Sequence, residues 1–188
     1  MATSSAMMAL GTEAPPFDLP DPTGGRHRFD ERVGDAGLLV MFICNHCPYV
    51  KHVQEPLARL AEEWMENGLG VVAINSNDVS AYPDDSPPRM AEVAERIGYP
   101  FPYLFDEDQS VARAYGAVCT PDFFLFDRDH RLVYRGRFDH TRPGGATPAT
   151  GADLAAAVAL VLTGETPPAD QAPSMGCSIK WKPGNEPM

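Results

Sequence analysis

Hydrophobic and polar positions sort the chain into segments of clear period. Residues 38–43 and 71–74 are apolar without interruption. Such runs predict strands buried on both faces. Between them Val50, Val53, Leu57, Leu60, Ala61 and Trp64 recur at helical spacing with charges opposite, which predicts a helix over 48–66. Pro56 predicts a kink or break in that helix, and Asn67-Gly68 its stop. Strand, helix, strand in this order implies parallel pairing of the two strands.

Shorter segments surround this unit. Phe17, Asp18 and Leu19 face His27, Arg28 and Phe29 across the turn Asp21-Pro22-Thr23-Gly24-Gly25, predicting a hairpin. Residues 75–88 read as a polar, Pro-rich loop, 88–97 as a short helix, 101–105 as extended and 109–115 as another short helix. Residues 122–126 and 132–135 predict antiparallel strands about the turn Asp127-Arg128-Asp129-His130. A Gly/Pro-rich loop fills 138–150, and an alanine-rich helix spans 152–162, ending at Gly164. The tally predicts an α/β domain of three layers, a central mixed sheet with helices on both faces. Residues 1–10 are expected to be disordered or loosely packed, 11–164 to form the domain, and 165–188 to be a Pro-rich tail packing on it.

A chain of 188 residues supports one domain with a full core and is too short for two ordinary ones. Its net charge of −11 argues against nucleic acid or an anionic membrane as the main partner. No apolar run approaches the ~20 residues that span a bilayer. The first ten residues lack the basic region of a signal peptide, so the expected location is cytoplasmic.

Thiols in that compartment are mostly reduced. The four cysteines are Cys44, Cys47, Cys119 and Cys177, and only the first two are close in sequence. Catalysis or metal binding therefore explains the pair better than a disulfide scaffold. Cys44-Asn45-His46-Cys47 lies between a buried strand and a helix. A helix N-terminus offers unpaired amides and partial positive charge, which favour a thiolate. Two intervening residues let the sulfurs meet, so a disulfide can close and reopen. A cationic His46 would favour the Cys44 thiolate further. Pro48 leaves two registers open: Cys47 as the helix N-cap with Cys44 in the preceding turn, or Cys44 as the cap. The first would expose Cys47 more, and the identity of the attacking cysteine depends on the choice. Packed core cysteines and a zinc half-site are the competing readings. Neither a metal nor another cofactor is expected. A second element, Val118-Cys119-Thr120-Pro121-Asp122, precedes a strand. A proline there has no ladder donor, and a cis Thr120–Pro121 bond would make the tight turn it needs.

Residues 38–47, 70–75 and 120–127 resemble thioredoxin-like proteins of the redoxin superfamily. Cys44-Asn45-His46-Cys47-Pro48-Tyr49-Val50-Lys51, Asn75-Ser76-Asn77-Asp78 and Gly176-Cys177-Ser178-Ile179-Lys180-Trp181 resemble a bacterial peroxiredoxin-like group related to thiol-specific antioxidants and alkyl hydroperoxide reductases. The resemblance implies the thioredoxin fold, here with an N-terminal hairpin and a C-terminal tail. It implies a nucleophilic Cys44, a resolving Cys47, and a cis Pro121 with backbone groups of Thr120 offered to a bound substrate chain. Asp78 stands where related membrane-anchored thiol reductases carry a buried acid that takes the resolving thiol's proton. A loop carboxylate capping a turn is the other reading of Asp78. The pattern departs from thioredoxin at Ile43 and Leu38, which replace a Trp and a buried Asp. It departs from typical peroxiredoxins in having Cys44 for a Thr, with the peroxidatic place at Cys47, and no Arg near Thr120-Pro121.

Cys119 and Cys177 are candidate accessory thiols. Cys119 would lie near the pair as a resolving thiol, a ligand or a packed small residue. The tail, anchored by Trp181, is expected to fold back and bring Cys177 within reach of Cys44 or Cys47. The expected function is thiol–disulfide exchange through a reversible Cys44–Cys47 disulfide. Thiol peroxidase and Cys/His metal carrier are the alternatives. Expected partners are protein thiols and disulfides or peroxides, with a thioredoxin-like or small-thiol reductant. A monomer or a homodimer is expected, with no nucleic-acid or membrane partner.

Overall fold

The structure is a computed structural model that describes residues 2–187. In chain order the elements are β1 (Ala2–Ser4), β2 (Asp18–Pro20), β3 (Arg26–Arg28), α1 (Phe29–Arg32), β4 (Gly37–Phe42), α2 (Pro48–Glu66), β5 (Leu69–Asn75) and α3 (Pro87–Ile97). Then follow β6 (Tyr103–Phe105), α4 (Ser110–Tyr115), β7 (Cys119–Thr120), β8 (Asp122–Asp127), β9 (Leu132–Gly136), α5 (Ala152–Leu162) and β10 (Met175–Ser178).

The main sheet has the order β6-β5-β4-β8-β9. Strand β4 runs parallel to β5 and antiparallel to β8, so the sheet is mixed. Alternation along β4 explains its unbroken apolar run. Leu39 and Met41 join a core with Val53, Leu57 and Trp64 of α2, Met90 of α3 and Leu154 and Val158 of α5. Leu38, Val40 and Phe42 join the opposite core, with Val111, Ala112 and Tyr115 of α4. A strand covered on both faces needs apolar side chains at every position. These layers are the thioredoxin fold.

Helix α2 continues across Pro56, where a kink or break was expected. Val53 and Leu57, on either side, are buried against the sheet, and that packing outweighs one lost backbone bond. The hairpin forms as β2 and β3, a separate two-stranded sheet.

The two chain ends depart from the sequence reading. Residues 2–4, expected to be disordered or loosely packed, form β1 and pair antiparallel with β10 of the tail. Strand β10 in turn pairs antiparallel with β7, giving a second sheet β1-β10-β7. Two-residue β7 offers an open edge that β10 pairs with, and β1 in turn covers the far edge of β10. Trp181 packs against the α4-side core, as its anchoring role required. Among the described residues no helix is long and apolar enough to cross a membrane.

Candidate active site

Strand β4 ends at Phe42, and the chain turns through Ile43 to His46 into α2. Cys47 is the helix N-cap and Pro48 occupies the first turn, which selects the first of the two registers. The greater exposure of Cys47 expected from that register is not observed. Cys47 is 0% exposed and Cys44 2%, and Cys177 of the tail lies beside Cys47. All four cysteines are free thiols.

Thr120 joins the two sulfurs. Its Oγ1 lies 3.2 Å from the Cys44 Sγ, and its carbonyl accepts from the Cys47 Sγ at 3.2 Å. The Thr120–Pro121 bond is cis, as expected. Segments far apart in sequence thus meet at Thr120.

The sulfurs titrate as a pair. Their mutual hydrogen bond is the leading cause for both, driving Cys47 down to about 4 and Cys44 above the usual thiol range. Burial and the Asp85 charge also raise Cys44, while the Thr120 hydroxyl lowers it. Burial opposes ionisation of Cys47, and the Cys177 thiol and the Val50 amide favour it. At neutral pH one proton remains between the two sulfurs, resting on Cys44 and exchangeable with Cys47. When Cys47 holds it, the S–H donates to the Thr120 carbonyl, and the Thr120 hydroxyl is free to donate to a Cys44 thiolate.

The buried acid beside the pair is Asp85, which sequence reasoning missed. It is fully buried. Its Oδ1 accepts from the Asn45 amide at 2.8 Å and the His46 amide at 3.3 Å. Its Oδ2 accepts from Asn77 Nδ2 at 2.7 Å and from the His46 Nδ1–H at 2.6 Å. One carboxylate therefore fixes the backbone of the two residues between the cysteines. His46 lies beside Cys44 and is held by Asp85 and by stacking on Tyr82, with ring centroids 5.6 Å apart.

Asp78, the acid chosen from the resemblance, is not that group. It is half-buried, and its carboxylate accepts from the Ser80 amide at 3.0 Å, which is the turn-capping reading. The motif around it still bears on the site. Asn75 Nδ2 donates to the Asp85 carbonyl at 2.7 Å, so Asn75 and Asn77 hold Asp85 in place. The polar run 75–78 was the available signal; nothing local to Asp84-Asp85 marks which acid turns inward.

Cys119 is fully buried and protonated, its thiol pushed up chiefly by burial and donating to the Pro121 carbonyl at 3.8 Å. Of the readings open to it, this contact fits a packed small residue. Cys177 is half-buried, sits opposite Thr120 in the β10–β7 register, and packs against the core that contains the pair. Loop 138–150 lines a small recess beside Pro121 through Phe138, Asp139, Thr141 and Arg142, with His52 Nε2 bonded to Thr141 Oγ1 at 2.8 Å.

Cys44, His46 and Asp85 bring three potential metal-ligand atoms within 4.8 Å of one another. Both carboxylate oxygens of Asp85 already accept two protein hydrogen bonds each. A metal there would have to displace that network.

Known proteins place this arrangement. A solved structure of an uncharacterized conserved protein from Geobacillus kaustophilus is 54% identical, covers 98% of each chain, and superposes with a TM-score of 0.95. A hypothetical protein from Sinorhizobium meliloti 1021 is 50% identical over 97% of this chain and 100% of its own, with a TM-score of 0.94. The thiol-disulfide oxidoreductase ResA of Geobacillus thermodenitrificans is 26% identical over 130 residues, 69% of this chain and 70% of that protein. Residues 10–135, from ahead of the hairpin into β9, match the AhpC/TSA family, and the chain belongs to that family.

Proposed function

We propose that this protein is a thiol–disulfide oxidoreductase working through a reversible Cys44–Cys47 disulfide. The observation that carries the reading is the pair of free thiols at the amino end of α2, each held by Thr120 at 3.2 Å. The name of the ResA relative agrees with it.

The steps follow from the two positions of the shared proton. With the proton passed from Cys44 to Cys47, the Cys44 thiolate attacks a substrate disulfide, and one substrate sulfur leaves as a thiolate that takes a proton from solvent. Cys47 then gives up its proton, attacks the Cys44 sulfur and releases the second substrate thiol. A protein disulfide is the substrate class proposed. A thioredoxin-like or small-thiol reductant in the cytoplasm restores the pair.

Among the described residues, the groups at the two sulfurs are Thr120, the other thiol of the pair, Cys177 and the Val50 amide, with no guanidinium to polarise a peroxide. Disulfide exchange is therefore the reading preferred over peroxidase. Insulin reduction with dithiothreitol tests it. Cys44→Ser is expected to fall to background and Cys47→Ser to accumulate a mixed disulfide on Cys44. Full activity in Cys44→Ser would overturn the reading. A reaction with hydrogen peroxide much faster than that of free cysteine would favour the peroxidase instead.

A further inference from the structure

The pair proposed to exchange disulfides is buried. Cys47 and Cys119 are 0% exposed and Cys44 2%. The tail lies against the Cys47 side of the pair. Strand β10 lies antiparallel along β7, with Cys177 opposite Thr120 and Ser178 opposite Cys119. An extended segment added to an open edge in this way takes the seat that a peptide substrate would use.

The tail is fixed there by several bonds. Ser174 Oγ donates to the Pro121 carbonyl at 2.7 Å, the Ile179 amide to the Val118 carbonyl at 3.0 Å, and the Lys180 amide to Asn77 Oδ1 at 2.8 Å. Strand β1 backs β10 from its other edge. The result is a third thiol on the far side of Thr120. Cys177 is the most accessible of the four cysteines, and it sits opposite Thr120, whose carbonyl accepts from the Cys47 Sγ at 3.2 Å.

We propose that Cys177 is a third redox-active thiol, which exchanges with the Cys44–Cys47 disulfide to give a Cys47–Cys177 disulfide and a free Cys44. The proposal rests on the disulfide-exchange reading above. In the step, the Cys177 sulfur loses its proton and attacks the Cys47 sulfur. The Cys44–Cys47 bond breaks, the Cys47–Cys177 bond forms, and the departing Cys44 sulfur takes up a proton. The number of disulfides is unchanged, so no outside oxidant enters. The oxidised sulfur has moved from a closed site to a half-open one, where an external thiol can reach Cys177. Cys47 then leaves as a thiolate, and its lowered pKa makes it a good leaving group. Burial and the neighbouring Cys47 push the Cys177 thiol up to about 11, and the charge of Lys180 works against that rise.

The test is disulfide mapping by mass spectrometry on the full chain after incubation with oxidised glutathione. Cys44→Ser is expected to yield linked Cys47 and Cys177 peptides. Glutathione held on Cys47 beside a reduced Cys177 would overturn the proposal. Wild-type protein in the same experiment separates the two readings. If it never forms the Cys44–Cys47 link, the disulfide-exchange reading itself fails. If it forms that link but Cys44→Ser forms no Cys47–Cys177 link, only the role of Cys177 fails. Cys177→Ala and Cys177→Ser are expected to form the Cys44–Cys47 link and to lose at least tenfold in its rate of reduction by glutathione. Equal rates in both variants and wild type would overturn the relay even if the link can be trapped.

Discussion

The two sheets that meet at Thr120 are built on opposite principles. The main sheet is long, apolar and covered on both faces, with Leu39, Val40, Met41 and Phe42 of its central strand all fully buried. The small sheet is made of strands of three, four and two residues contributed by the two chain ends and the segment before Pro121. Apart from Met175 its side chains are small or polar, and it is held by backbone pairing and side-chain-to-backbone bonds. The first places Cys44 and Cys47; the second lies against Cys47 and supplies Cys177. Stability and access are thus assigned to different sheets, and each can be perturbed without the other.

The largest effect is expected from the main sheet. Phe124 is 1% exposed and makes edge-to-face contacts with Phe42 and Tyr115 at 5.8 and 5.6 Å. Phe124→Ala removes the ring from a packed layer, at a cost of about 3–5 kcal/mol. A urea midpoint unchanged within error would show that this layer is not the cooperative core.

The same contrast governs what could be read from sequence. Residues 38–43 and 71–74 were legible because burial on both faces forces an unbroken apolar run. Helix α2 was legible because Val50, Val53, Leu57, Ala61 and Trp64 must share one face. The cysteine pair announced itself by spacing. The small sheet left no period, since β1 and β10 exist through pairing with an edge that only the folded chain presents. Asp85 was hidden for a related reason. It reaches Asn45 across 40 residues, and its inward turn depends on Asn75 and Asn77. Local chemistry was visible in sequence; groups recruited from a distance were not.

A second, smaller effect sits at the seam between the sheets. Asp122 opens β8 and is fully buried. Its Oδ2 accepts from Ser5 Oγ just past β1 at 3.1 Å, while among the described residues Oδ1 has no partner. Burial pushes its carboxyl up to about 7. The folded protein therefore holds a proton that the unfolded chain has already released at this pH. Stability from this group is complete below the ordinary carboxylate range, about pH 4, and is lost as pH rises through 7. Between pH 5 and 8 the loss is roughly 2–3 kcal/mol, from about 1.4 kcal/mol per pH unit. Asp122→Asn is expected to remove that slope and be the more stable protein at pH 8. Parallel pH profiles for the two proteins would show that Asp122 is not the seam's titrating group.

The smallest effect on stability, and the sharpest on access, is expected at Gly176. Its Cα lies so close to Thr120 that an added Cβ would overlap that residue's carbonyl, and backbone on either side has no rotamer through which to yield. Gly176→Ala must lift β10 from β7. Because the main sheet does not depend on that contact, the stability cost is expected near the low end of overpacking, about 1 kcal/mol. Lifting the strand uncovers Cys47 and moves Cys177 away from it. Alkylation of Cys47 in the reduced protein is therefore expected to quicken several-fold, while formation of the Cys47–Cys177 link falls in a Cys44→Ser background. Faster alkylation with undiminished linking would mean that the tail covers Cys47 without handing sulfur to it. A loss of several kcal/mol would mean that the two sheets are one cooperative unit, and the division of labour between them would fail.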